Sequence, residues 1–215
     1  CLWGVWRGWH GSLARGRGSA AHRGRGASLC AMQGLQSVAT TMGFSALDGL
    51  MMGTRTGALD AGAVLYLMEI EKLSLAQVGH VLYHESGLLG VSGLSSEPRM
   101  LIAAEGRDDA VGEQVRAALA LYVRRIVCEI GALVAVLGGL DLLVFTAGVG
   151  EHSVEIRERA CNALGFLGIV LDPAANARHA PVISAPESRL VFAVEPTNEE
   201  WIAARDAGCC LCPPH

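Results

Sequence analysis

The sequence predicts an α/β fold, and three observations carry that expectation. Residues 142–145 (LLVF) are too short for a helix and apolar at every position, as befits a parallel strand buried on both faces. A glycine turn, Gly148-Val149-Gly150, follows and leads into a helix expected to open with Glu151, His152 and Ser153. On either side of this corner helical periodicities alternate with short strand-like runs. Gly148 and Gly150 permit positive φ and close approach of a ligand, and the helix behind them offers free N–H groups and the positive end of its dipole. A nucleotide-facing corner has this pattern, and so does a plain strand-to-helix turn; a bare G-x-G does not separate them.

At 215 residues, 51% of them apolar, the chain has ample material for one packed core. The net charge is −4, unevenly spread: Arg7, Arg15, Arg17, Arg23 and Arg25 all precede the first acid, Asp48. No interleaved aromatic platform accompanies these arginines, so a nucleic-acid partner is not expected. Lys72 is the sole lysine among 17 basic residues, which excludes a G-x-x-x-x-G-K-[ST] phosphate loop. Cys30, Cys128 and Cys161 sit in apolar sequence typical of reduced core thiols, and a reducing cytoplasm fits the odd total of seven cysteines. Cys209, Cys210 and Cys212, beside His215, match no standard zinc spacing and read as a tail over residues 209–215.

In chain order, residues 1–12 are rich in Gly and Trp, with Trp3, Trp6 and Trp9 at helical spacing but interrupted by Gly4, Gly8 and Gly11. No apolar signal-peptide core follows. This segment is expected to lie outside the domain proper, 13–208, and the chain to be a fragment. Residues 27–41 read as a hairpin around Gly34. Glycines at 43, 49, 53 and 57 make the next stretch a loop carrying one cation, Arg55, suited to forking onto a phosphate or carboxylate or equally to lying on the surface. Helices are expected over 63–70 and 75–82, the second opened by a Ser74-x-x-Gln77 capping box. The Gly/Ser-rich stretch 86–100 reads as a pocket-lining loop containing Glu97, Pro98 and Arg99.

A long helix follows over 109–137, with Val115, Leu119, Tyr122, Ile126, Ile130, Leu133 and Leu137 near one face. Gly138, Gly139 and Asp141 break the apolar stretch 130–150, so no membrane span is expected. Residues 154–164 read as helix, 166–171 and 190–194 as strands, and 173–187 as a polar loop. A last helix opens at PTNEEW with a Thr197-x-x-Glu200 box. Glu199 in its first turn offsets the dipole, and a carboxylate there also suits a hydrated Mg²⁺.

The segments HRGRGASLCAM, TTMGFSALDGLMMGTRTGALD, GVSGLSSEPR, FTAGVGEHSVEIRER and PTNEEWIAARD, in this order, resemble the carboxyl-terminal half of the acetate kinase family from about Leu13 to Ala207. The resemblance implies a ribonuclease-H-like domain with a mixed central sheet flanked by helices, of the acetate and sugar kinase, Hsp70 and actin superfamily. It implies phosphoryl transfer between ATP and acetate, or propionate in close relatives, with Mg²⁺ and a homodimer assembled mainly through this domain. Carried over by position, Arg55 matches the active-site arginine and Glu199 the magnesium-linked glutamate. Gly148, Val149, Gly150, Glu151 and His152 match the adenosine-binding turn, and Glu97, Pro98 and Arg99 a second nucleotide contact. His22, Gly24, Arg25 and Gly26 match the phosphate-facing loop, where HRGRGAS replaces the usual HLGNGAS. The family's amino-terminal domain, with its catalytic aspartate, is expected to lie outside this chain. A nucleotide-binding or dimerising remnant is the alternative.

Overall fold

The structure, a computed structural model, describes residues 16–23, 27–34 and 36–196. Among these residues five strands form one sheet: β1 (Arg17–Arg23), β2 (Ala27–Gln33), β3 (Gln36–Thr40), β4 (Leu142–Thr146) and β5 (Val191–Glu195), in the order β3-β2-β1-β4-β5. The first three pair antiparallel; β4 joins β1 and β5 joins β4 in parallel. This is the mixed sheet of a ribonuclease-H-like domain. The helices are α1 (Ala61–Glu69), α2 (Leu75–His84), α3 (Gly87–Ser92), α4 (Pro98–Ala104), α5 (Ala110–Leu137), α6 (Ala147–His152), α7 (Val154–Ala163) and α8 (Pro173–Ala177).

The parallel register puts His22, Thr146 and Glu195 side by side at the carboxyl edge of β1, β4 and β5. Ligands of α/β sheets gather outside that edge. At the opposite edge Asp141 accepts from the Arg17 backbone N–H at 2.7 Å and from Nη2 at 3.0 Å, and Arg17 Nη1 donates to the Gly138 carbonyl at 2.6 Å. The acid that interrupts the apolar stretch therefore clamps the start of β4 to the start of β1.

Helix α5 supplies the core's spine. Asp109 caps its start, accepting from the Gly112 N–H at 3.0 Å, and Gly138, left-handed at φ 67°, ends it. Every residue of the expected stripe is buried, facing Leu29, Leu143, Phe145 and Phe192 in one cluster. β4 is buried at all five positions, as its composition predicts. The Ser74–Gln77 capping box forms at α2. Among the described residues no helix is long and apolar enough to cross a membrane.

Several expectations are corrected. β1 was not foreseen, because its Gly18, Ser19, Ala20 and Ala21 lack the β-branched bulk that marks a strand; its place between β2 and β4 makes it one. The expected 86–100 loop holds α3 and α4: the Leu88 and Leu89 N–H groups at the start of α3 donate to the Met52 and Gly53 carbonyls at 3.0 and 2.9 Å, and Pro98 opens α4. The strand expected over 166–171 is a 3₁₀ turn, Gly165–Leu167, ended by Gly168 at φ 82°, with only an isolated bridge from Leu171 to Ser184. The 173–187 loop begins with α8, capped by Asp172. Cys161 is buried, its thiol pushed up to about 12 by burial, but Cys30 is only half-buried and Cys128 lies exposed on α5. The helix expected at PTNEEW lies outside the described residues.

The hydrogen bonds from Arg17, and burial working against them, leave Asp141 below the ordinary carboxylate range. A depressed folded-state pKa contributes stability above the unfolded value of about 4 and loses it as the pH falls through the folded one. Asp141→Asn is therefore expected to lower the melting temperature by a few degrees at pH 7, with the deficit shrinking steadily below about pH 4. Thermal unfolding of both proteins across pH checks this; a deficit independent of pH would contradict it.

Candidate active-site cleft

A cavity of about 710 Å³ opens on the carboxyl side of the sheet, within the range of small-ligand sites. One wall is the entry to α4, with Glu97, Pro98 and Arg99; the other is the corner after β4, with Gly148, Val149 and His152. Arg55 enters from its loop, while Tyr122 of α5 and Ala27 of β2 also reach the cavity. Three stretches that the sequence singled out separately, 53–55, 97–99 and 148–152, thus meet in one place.

The corner is built by local strain and local capping. Ala147 lies at φ 56° and Gly148 at φ 22°, ψ −100°, which swings the chain from the strand into α6. Positive φ is costly for alanine. Compensation comes from Glu151, whose carboxylate folds back to accept from the Ala147 N–H at 2.6 Å. Ser153 then caps α7, accepting from the Ile156 N–H at 3.4 Å. The helix thus opens at Ala147 rather than at Glu151, and Gly150 has ordinary helical φ. Neither Gly150, which is buried, nor Glu151 lines the cavity; both shape the turn from behind.

Arg55 is half-buried, and no carboxylate among the described residues pairs with it. Among the described residues its guanidinium reaches only the Ala46 carbonyl, at 3.5 Å, and the Met52 sulfur, at 4.0 Å. Most of its five donors are left for a ligand. The loop itself is firmly held: Thr54 Oγ1 donates to the Tyr83 carbonyl at 3.0 Å, the Thr56 N–H to Leu82 at 3.2 Å, and the Ser86 N–H to Thr54 at 2.9 Å. A fixed loop carrying an unpaired, forked cation is suited to an anion whose charge shifts during reaction. Glu195, at the carboxyl edge, is raised above the usual carboxylate range by burial and then by Glu151. Gly24, Arg25, Gly26 and Glu199 lie outside the described residues, and His22 is placed only as the strand position opposite Thr146.

Sequence reasoning missed Arg157, which is fully buried in the first turn of α7. Its Nη1 donates to the Gly150 and Glu151 carbonyls at 2.9 and 2.7 Å. Nε donates to Asn176 Oδ1 at 2.7 Å and Nη2 to the Asn176 carbonyl at 3.0 Å, with His179 Nδ1 3.2 Å from Nη2. Burial lowers its pKa from the ordinary arginine value. A signal was present: Arg157 shares helical spacing with Ala160 and Cys161, on the buried side.

The acetokinase family model matches residues 17–205. The chain belongs to the acetokinase family. The acetate kinase of Rhodopseudomonas palustris (strain TIE-1) is 52% identical over 196 residues, covering 90% of this chain and 48% of that protein. The crystal structure of Porphyromonas gingivalis acetate kinase superposes with a TM-score of 0.85 at 39% identity, over 92% of this chain and 50% of that one. A propionate kinase from Francisella tularensis gives 0.82 at 30% identity, over 89% and 49%. The chain spans about half the length of the curated relatives it matches.

Within this acetokinase domain, removing the Arg157 guanidinium takes a donor from the Gly150 and Glu151 carbonyls and from both oxygens of Asn176. Arg157→Met is expected to cost about 3 kcal/mol of unfolding free energy, the order for opening a buried hydrogen-bond network. Urea unfolding measures this; a loss under about 0.5 kcal/mol, the scale of neutral surface changes, would show that the network is dispensable.

Proposed function

We propose that this chain is the carboxyl-terminal half of an acetate kinase, an enzyme that transfers the γ-phosphoryl group of ATP to acetate, giving acetyl phosphate and ADP. The observation that carries the reading is the single cleft shared by Arg55, the Gly148–Val149 corner and the Glu97–Arg99 wall. In the reaction an acetate carboxylate oxygen bonds to the γ-phosphorus as the bond to the bridging oxygen of ADP breaks. Positioning and charge stabilisation are the main demands, and the Arg55 fork supplies donors to both the acceptor carboxylate and the moving phosphoryl group. Gly148, Val149 and His152 form the wall offered to the adenosine, with Glu97, Pro98 and Arg99 facing it.

Among the described residues no three His, Cys, Asp or Glu side chains converge on a cation site. Mg²⁺ that enters on the nucleotide phosphates needs only a carboxylate or two from protein, the part assigned to Glu199. When bound, the ion would neutralise charge on the nucleotide phosphates. Acetate is taken as the acceptor because the curated relatives matched, at 52 and 46% identity for two of them, are acetate kinases, with propionate as the alternative. The phosphate-facing segment is assigned to His22, Gly24, Arg25 and Gly26, and the reaction to the cytoplasm.

The partner assigned is a second copy, docked on the α1–α2 arm. Helix α1 buries none of its residues, and Leu65, Tyr66, Ile70 and Leu75 are 57, 54, 61 and 74% exposed. A face this apolar and this bare suits self-association. Sedimentation is expected to show a dimer that the double variant Leu65→Asp, Ile70→Asp converts to monomer; a wild-type monomer would sink the assignment.

The cleft reading is tested in two steps. ATP titration by calorimetry is expected to show binding to the chain, with little change in Arg55→Ala. Supplying the amino-terminal half of the Rhodopseudomonas palustris relative in trans is expected to yield acetyl phosphate, and Arg55→Ala to lower kcat by roughly a hundredfold. Wild-type turnover in that variant would remove Arg55 from the chemistry, and failure to bind nucleotide would favour a dimerising remnant.

A further inference from the structure

The two walls of the cleft are carried by separate helices. Helix α4 bears Glu97, Pro98 and Arg99 at its entry and Ile102 on its cavity side; α7 begins at the corner and lines the cavity with Ser153 and Glu155. Both helices rest on α5. Across the space between them runs one ion pair, joining residues 54 positions apart: Arg159 Nη1 donates to Glu105 Oε1 at 2.9 Å and Nη2 to Oε2 at 2.5 Å. Both prongs of the fork are used, the geometry in which arginine and carboxylate orient each other rather than merely attract. The side chains are 35 and 28% exposed, so the pair is partly withdrawn from water.

Glu105 is the residue at which α4 ends, and α4 is only seven residues long, about 10 Å. A rod this short moves as one piece, so holding its far end sets where Glu97 and Arg99 sit at the near end. The Glu105 main chain is held as well: Arg116 of α5 donates from Nη1 to the Glu105 and Arg107 carbonyls, each at 2.9 Å. At the other end of the tie, Arg159 lies half a turn beyond Arg157, which locks the same helix to the corner. Helix α7 therefore carries one arginine that fixes its own wall and another that fixes the opposite wall.

We propose that Glu105 and Arg159 are a positioning pair that sets the width of the nucleotide cleft. Neither touches the cavity; they act through the placement of α4. This inference rests on the nucleotide reading for its affinity readout, so the test carries a second readout that needs no ligand.

Four proteins are compared: wild type, Glu105→Arg, Arg159→Glu and the charge-swapped double variant, with Glu105→Gln as the milder single change should a reversed charge prevent folding. ATP titration is expected to give a Kd raised about five- to tenfold in the single variants and returned to within twofold of wild type in the swap, with similar far-ultraviolet dichroism throughout. Hydrogen exchange of the Arg99–Ala104 amides, without nucleotide, is expected to quicken in the singles and recover in the swap. Single variants that bind and exchange as wild type does, or a swap no better than the singles, would overturn the proposal. If wild type does not bind ATP, the functional reading fails, and the exchange pattern alone decides whether the pair holds α4.

Discussion

A buried cation with no carboxylate partner among the described residues is the constraint on which the cleft depends. Arg157 is withdrawn from water and compensated by backbone carbonyls and an amide oxygen, with an imidazole nitrogen alongside. Desolvating a guanidinium is expensive, and only well-directed acceptors offset it. Those acceptors come from the end of α6 and from α8, so the arginine can be satisfied only when both segments are correctly placed. The corner at Ala147 and Gly148, with its unusual dihedral angles, is held from behind by this requirement and from within by the Glu151 carboxylate.

The contrast with Arg55 is instructive. Arg157 is fully buried and Arg55 half-buried, and the first spends its donors on the protein while the second keeps most of them. The difference lies in the backbone around each. Arg55 is carried by a loop whose own polar groups are satisfied by α2 and α3, so the side chain is not needed to stabilise the loop. Gly87 shows how tight that support is: at φ 63°, a Cβ there would stand 2.2 Å from the Met52 carbonyl oxygen.

Where one local signal dominated, the fold was legible in the sequence. The stripe from Val115 to Leu137, the apolar run of β4 and the Ser74 capping box each formed as their patterns dictate. Where tertiary partners decided, it was not. Gly18 to Ala21 have no strand character of their own, and α3 is rich in glycine yet helical because Met52 and Gly53 supply its missing acceptors. Phe166 to Leu171 had apolar strand-like composition, but Gly165 and Gly168 turned the chain first. In the cleft, Arg55, Glu97, Arg99 and Gly148 could be named because open glycine-rich sequence surrounds them. Arg157 could not, because charge is ordinarily read as surface.

The stitching of the Arg55 loop onto α2 joins two parts of the molecule that would otherwise be independent. The Tyr83 and Leu82 carbonyls that receive Thr54 and Thr56 belong to the last turns of the helix whose other end stands beside bare α1. Anything that damps or tilts this arm travels along a stiff lever of less than three turns and arrives at the Arg55 guanidinium in the cleft. Contact made at the periphery is thereby felt at the centre, with no hinge in between to absorb it.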